Sequence, residues 1–284
     1  MISIQEIVDK TNRIPMLSQS SLRLLELVRS QKHNVQDITR LVECDPALTA
    51  NLLKVVNAPA FGLGQPVSSL SRAISFLGDK MVVGIALATC SPKVFNAGLE
   101  GYEGERGELW RHSLRSAIAS REIARHARKM ISEDVAFTAG ILHDIGKAVI
   151  SEFLQGQLQR VLAVLDGEQS ESFLQAEQAA LGMDHCQVGV ALAKRWRLPM
   201  QLMQVIEHHH YPARAENEHK PLVYVAHLGD IVAMMGGAGT GADTLLYPLD
   251  DQYEEYIEVS ETDLEELVFT VAMNYEKTKT EFFA

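Results

Sequence analysis

A histidine and an aspartate stand side by side at the end of an apolar run, in Gly140-Ile141-Leu142-His143-Asp144-Ile145-Gly146-Lys147. Neutral imidazole nitrogen and carboxylate oxygen are both good ligands for zinc, manganese or iron, and neither group is at ease in a dry core. Alone, the dipeptide is weak evidence for a site. The chain adds His112, His185, the run His208-His209-His210 and Asp230, each inside a helical segment or at its edge. Those spacings are too wide for a zinc finger. A site built from them would draw its ligands from several helices that converge in space, as metal sites in helical bundles do. Each residue also has a plain structural role open to it. A single His112 or His185 can be a hydrogen-bonded core histidine, His143 and Asp144 can form a buried polar pair, and Asp230 can pair locally with His227.

The elements that must position these residues sit in an ordinary globular composition. The chain has 284 residues, 46% hydrophobic and 22% charged, enough for one large domain or two modest ones. The formal net charge is -11, from 37 acidic and 26 basic residues, which argues against nonspecific binding to nucleic acid or anionic membrane. Cys44, Cys90 and Cys186 are odd in number and far apart, so neither a disulfide framework nor a Cys-x-x-Cys metal motif is supported, and a reducing cytoplasm fits. No signal peptide opens the sequence, and the most apolar run, Met81 to Cys90, is about half the roughly 20 residues a membrane span requires. The expectation is a soluble, cytoplasmic protein.

Apolar spacing is helical nearly everywhere: Leu22, Leu25, Leu27 and Val28, then Ile38, Leu41 and Val42, then Leu48, Leu52, Leu53 and Val56. Asp45-Pro46 opens a helix and Asn57-Ala58-Pro59 ends it. A loop with Gly62, Gly64 and Pro66 leads to helices over Ser71 to Leu77 and Met81 to Ala88. The glycine- and acid-rich stretch Asn96 to Gly107 reads as a linker. Helices are then predicted from about Glu108 to Lys129, Val135 to Phe153 and Ser172 to Leu181. A capping box of Asp184 and Gln187 opens Val188 to Trp196. Pro199 starts a helix to about His210, and Pro221 starts the one carrying Asp230. Gly236 to Gly241 reads as a flexible loop and Asp250 to Glu258 as solvated acidic surface. A last amphipathic helix begins near Thr262, capped with Glu265, with Leu264, Leu267, Val268 and Val271 facing inward. Trp110 and Trp196 read as packing residues.

Several of these segments, in order, resemble the HDOD family, a bacterial branch related to HD-type metal phosphohydrolases. The resemblance covers roughly Ile14 to Pro212 and continues more loosely to Ala233. It rests on Ile14-Pro15-Met16-Leu17, Asp45-Pro46-Ala47-Leu48, Leu52 to Ala58, Ser69 to Gly78, Leu109 to Leu114, Gly140 to Lys147, His185 with Gly189, Arg195 to Pro199, and His208 to Pro212. It implies an all-α protein: an N-terminal helical bundle (1–95) and a linker (96–107), then an HD-like metal-binding half (108–235). The acidic loop and C-terminal helix (236–284) would pack on that core. Matched to HD phosphohydrolases, His112, His143, Asp144, His185 and Asp230 stand at ligand positions. Aligning on Tyr211-Pro212 makes His209 and His210 the matching pair and leaves His208 as a neighbour.

Glu108 lies four residues before His112, where a carboxylate could join a second metal or orient the imidazole. Lys147, one turn after His143, could hold a phosphoryl oxygen. Ordinary ion pairs, Glu108 with Arg111 and Lys147 with Asp144, are the alternative. The retained set implies one or two divalent ions, iron, manganese or zinc, with Asp144 bridging, and hydrolysis of a phosphomonoester or phosphodiester by metal-activated hydroxide. Asp144 and Lys147 would be the catalytic residues. The longer pattern that follows the histidine pair in HD-GYP enzymes is missing after His210, which argues against cyclic dinucleotides. The family resembles signalling and regulatory proteins and often loses metal ligands. A noncatalytic scaffold for a signalling partner, or a nucleotide sensor without turnover, therefore stands beside the phosphohydrolase reading.

Overall fold

The helical periodicity is realised throughout. The computed structural model describes residues 4–13, 19–30, 32–44, 46–57, 61, 63, 67–90, 98–159, 161, 163 and 172–282; among them the fold is all-α, with two isolated backbone bridges and no strand. Ile14-Pro15-Met16-Leu17, Asp45, Ala58-Pro59, Gly62, Gly64, Pro66 and Asn96 lie outside the described residues. The helices are α1 (Ile4–Arg13), α2 (Gln19–Arg29), α3 (Val35–Glu43), α4 (Pro46–Val56), α5 (Leu70–Leu77), α6 (Asp79–Cys90) and α7 (Glu108–Ala124). They continue as α8 (Glu133–Leu142), α9 (Lys147–Leu154), α10 (Phe173–Leu181), α11 (His185–Arg195), α12 (Met200–His208), α13 (Lys220–Met235) and α14 (Glu261–Phe282).

Local sequence sets many of the boundaries. Asn34 and Asp37 form a reciprocal capping box on α3, and Asp184 with Gln187 forms another on α11. Because Asp184 is the cap, α11 begins at His185 rather than Val188. The predicted cap of the last helix is corrected: α14 begins at Glu261, so the capping positions fall on Ser260 and Asp263, which exchange hydrogen bonds, and not on Thr262 and Glu265. Helix α7 stops at Ala124, short of Lys129, because His126 and Arg128 turn their backbone groups to Glu258 and Tyr256.

The largest departure is the predicted helix from Val135 to Phe153, which is broken at residues 143–146 into α8 and α9. Gly146 lets the broken turn dock closely. A Cβ there would lie 1.9 Å from the His185 carbonyl oxygen, so the turn can dock against α11 only with glycine at that position. Gly140 permits a second close approach, since its Cβ would lie 2.6 Å from the Ala117 Cα, and α8 crosses α7 tightly there.

Around α7 pack α8 and α13, and α13 is buried on nearly all sides, as its apolar composition demands. Helix α6 packs on α8 and on α2, and α1 packs on α9 and α11, where Arg195 donates to the Thr11 carbonyl. One continuous apolar core runs from Ile7 through Trp196 to Tyr275. Trp196 is fully buried and Trp110 packs at the edge of that core. In the stretch read as a linker, Leu99 and Tyr102 are buried. No helix among the described residues is long and apolar enough to cross a membrane.

Candidate metal centre

The break between α8 and α9 leaves His143 as the C-cap of α8 and Asp144 in the turn, aimed into the space between α7, α11, α12 and α13. From α7 comes His112, from the start of α11 His185, from the end of α12 His209 and His210, and from α13 Asp230. All of these residues are between 0% and 3% exposed. The structure therefore brings together seven of the residues singled out in sequence.

Their ring orientations are fixed from outside. His112 Nδ1 donates to the Ala238 carbonyl at 2.7 Å, His143 Nδ1 to Gly140 at 2.8 Å, and His209 Nδ1 to Val205 and Ile206 at 3.2 Å. His185 Nδ1 donates to Glu177 Oε2 at 2.8 Å. Carbonyl and carboxylate oxygens only accept, so Nδ1 carries a proton in each ring, and Nε2, wherever the ring is neutral, presents a lone pair to the interior.

Those lone pairs face one another and two carboxylates. His112 Nε2 lies 3.1 Å from His143 Nε2, 3.1 Å from Asp230 Oδ1 and 3.3 Å from Asp144 Oδ2; His143 Nε2 lies 3.4 Å from the same Asp144 oxygen. On the other side, Asp144 Oδ1 is 3.4 Å from His185 Nε2 and 3.3 Å from His209 Nε2, and His185 Nε2 is 3.0 Å from His210 Nε2. Neither Asp144 oxygen accepts an aligned hydrogen bond. Asp144 thus divides its oxygens between a group of His112, His143 and Asp230 and a group of His185, His209 and His210. Facing acceptors repel unless a cation lies between them, either a proton or a metal ion.

Charge balance points the same way. Asp144, Asp230, Glu177 and Asp243 are buried together, and among the described residues Lys147 is the only buried lysine or arginine. Burying such an excess of carboxylates costs several kcal/mol per ion without compensation. Burial opposes ionisation of Asp144, yet Lys147 and His143 hold its carboxyl well below the usual range. Burial likewise opposes ionisation of Asp230, and His112 and His143 hold it well below that range. Burial also works against protonation of His112, but the facing carboxylates of Asp144 and Asp230 prevail and push it up to about 10. His209 is pushed down to about 4 by burial, against the pull of Asp144, and His210 is pushed well down by burial and by His209. The donor set, all imidazole nitrogen and carboxylate oxygen, fits a divalent transition ion.

Two sequence expectations are corrected. Glu108 does not reach the cluster: it stands at the first position of α7, and its carboxylate folds back onto the Glu105 backbone N–H at 2.7 Å and toward Arg111 at 3.6 Å. The stretch 236–241 is not a free loop, because Thr240 is 1% exposed and Ala238 8%. Lys147 lies inside the site, 2.8 Å from Asp144 Oδ2 and 2.7 Å from Asp243 Oδ2, with Thr240 Oγ1 at 3.0 Å. His208 is turned away, 3.9 Å from Glu207.

Sequence reasoning missed Glu177, Asp243, Tyr247 and Cys186. Glu177 accepts from the His185 ring, the His185 backbone N–H and the Tyr102 hydroxyl. Tyr247 lies over His210, and the Cys186 thiol, pushed up to about 11 chiefly by burial, lies 3.9 Å from His209 Nδ1. Only the position of Cys186 beside His185 was a signal that could have been read.

A family model described as the HDOD domain matches residues 14–212. An uncharacterised protein of Treponema pallidum (strain Nichols) is 25% identical over 217 residues, covering 76% of this chain and 41% of that protein, so the chain spans well under half the length of that relative. Among solved structures, a protein of Shewanella amazonensis SB2B provisionally assigned as a phosphohydrolase is 23% identical with a TM-score of 0.70, covering 96% of this chain and 97% of that one. An HDOD domain protein of unknown function from Geobacter sulfurreducens is 21% identical with a TM-score of 0.65, covering 99% and 96%. These two structures share the fold.

Proposed function

Since the chain belongs to the HDOD domain family, we propose that it is a signal-transduction or regulatory protein that holds divalent metal in its HD site and hydrolyses a phosphoester there. The carrying observation is the convergence of four imidazole Nε2 lone pairs on the two oxygens of Asp144. On this reading His112, His143 and Asp230 would hold one ion and His185, His209 and His210 a second, with Asp144 standing between the two groups. Divalent ions held there would supply Lewis acidity and a nucleophile at neutral pH, by lowering the pKa of water from about 15.7 toward 7.

The chain's own groups do the rest. The backbone carbonyls of Ala238, Gly140, Val205 and Ile206 fix the rings with Nε2 inward. Lys147 exchanges its pair with Asp243 for a phosphoryl oxygen and stabilises the charge that develops on it. Metal content of protein purified without chelator, together with turnover of a generic aryl phosphodiester and phosphomonoester, tests the reading. Near-stoichiometric iron, manganese or zinc and turnover, both lost in Asp144→Ala, are expected. A chain that takes up none of these metals overturns it.

A specific observation favours a second reading. Every candidate ligand is buried, and the segment 238–247 covers the cluster, which suits a scaffold whose metal braces the helices while another surface meets a signalling partner. Stoichiometric metal without turnover of any phosphoester would select it.

A further inference from the structure

Away from the metal centre, helices α2, α6, α8 and α12 leave a cavity of about 240 Å³ between them. Leu25, Val28, Val83 and Leu202 form its apolar wall, and the exposed Arg29 and Lys80 also line it. No carboxylate does. In a chain of net charge -11, a cavity whose charged lining is wholly cationic reverses the prevailing sign. Of the nearby carboxylates, Asp79 is engaged by His33 at 2.9 Å, and Asp134, which does not line the cavity, interacts with Arg121 as well as with Lys80.

Size narrows the occupant. An engineered cavity of about 150 Å³ holds benzene, and pockets for larger cofactors and drug-sized ligands run from about 300 Å³ upward. The present volume lies between. Charge asks for an anion, and guanidinium beside ammonium suits a carboxylate. We propose that this cavity binds a small carboxylate with a compact apolar body, aromatic or short-chain aliphatic, with its carboxylate at Arg29 and Lys80 and its body against Leu25, Val28, Val83 and Leu202.

The position gives such binding a consequence that does not depend on the chemistry of the metal centre. Val135, in the first turn of α8, and Pro199, the N-cap of α12, also line the cavity. The far ends of those two helices carry His143 and His209. The ligand therefore contacts two of the elements that hold the metal cluster, while no cluster residue lines the cavity.

Benzoate and hexanoate, titrated separately into the full chain by calorimetry, test this, with benzamide and hexanamide as uncharged controls. Saturable binding of at least one acid with a dissociation constant below about 1 mM is expected, with no binding of its amide. The double variant Arg29→Gln/Lys80→Gln weakens it tenfold or more, and Val28→Phe, which fills the cavity, abolishes it. Lys10→Gln, on a different surface, leaves it unchanged. Circular dichroism confirms that each variant is folded. No saturable binding of either acid, equal binding of acid and amide, or binding that survives the charge removal or the filled cavity overturns the proposal.

Discussion

Tyr247 lies flat on His210, with ring centroids 3.7 Å apart and planes 12° from parallel, and its hydroxyl donates to Asp243 Oδ2 at 2.9 Å. That oxygen also pairs with Lys147. Through Ala238 on His112, Asp243 on Lys147 and Tyr247 on His210, one short segment touches both sides of the metal cluster. It both fixes ligands and closes the way in, so access and ligand geometry are coupled.

Opening that cover is expected to speed exchange. Tyr247→Leu keeps apolar bulk but loses the flat stack and the hydroxyl, leaving Asp243 with one fewer donor, at a cost of about 1 to 3 kcal/mol in urea unfolding. Release of bound metal to an excess of chelator, followed by an indicator dye, should become tenfold faster or more, because lid opening is the natural limit on exchange from a sealed site. Equal release rates would mean that the segment does not gate the site.

Metal should stabilise the fold by mass action. A ligand present at about 1,000 times its dissociation constant adds about 4 kcal/mol, which in a chain of this size raises Tm by roughly 10 °C. Manganese, iron or zinc added to chelator-stripped protein is expected to give such a shift, and His143→Ala is expected to abolish most of it. A parent chain whose Tm does not respond to any of the three ions contradicts the candidate centre.

Glu177 should act on metal affinity through His185. Its carboxylate holds the His185 ring by Nδ1 and caps the His185 backbone N–H, and partners of this kind typically contribute 10- to 100-fold in metal affinity. In Glu177→Gln an amide replaces one acceptor oxygen. Titration with metal is expected to show one ion bound as before and a second weakened by that factor. Two unchanged affinities would leave Glu177 with only a packing role.

Much of this site was legible because its residue types are rare in a core and its helices carry strong punctuation. The capping box at Asp184 and Gln187 and the prolines at 199 and 221 fixed where α11, α12 and α13 begin, and hence which residues point inward. What stayed hidden depends on tertiary approach. The break after His143 comes where Gly146 docks on the His185 carbonyl, a contact between segments 39 residues apart in sequence. Local periodicity runs straight through it. Glu177 and Asp243 look like any surface acids until Tyr102, His185 and Lys147 are placed beside them. The glycines of 236–241 signalled flexibility, whereas Gly241 lets the chain pass close to the Tyr102 carbonyl, where a Cβ would lie 2.0 Å from the oxygen.

Acid should loosen the fold through His227. Its Nδ1 donates to the His209 carbonyl at 2.7 Å and its Nε2 accepts from the Asp250 backbone N–H at 3.0 Å, a pair of bonds that only the neutral ring can make. Burial, against the pull of the His209 carbonyl, lowers its pKa from the usual 6.5. A depressed histidine contributes stability that is fully present above the unfolded pKa and is lost as pH falls through the folded one. The window therefore opens below about 6.5. His209 and His210, also depressed, act in the same direction, whereas His112, His143 and His185, which are raised, gain stability as pH falls through the unfolded pKa and oppose them. The excess of the parent's unfolding free energy over that of His227→Gln, measured in urea, should shrink from pH 7 to pH 5, by up to about 1.4 kcal/mol per pH unit for one proton. Parallel slopes would show that His227 takes up its proton equally in the folded and unfolded states and so does not couple acid to stability.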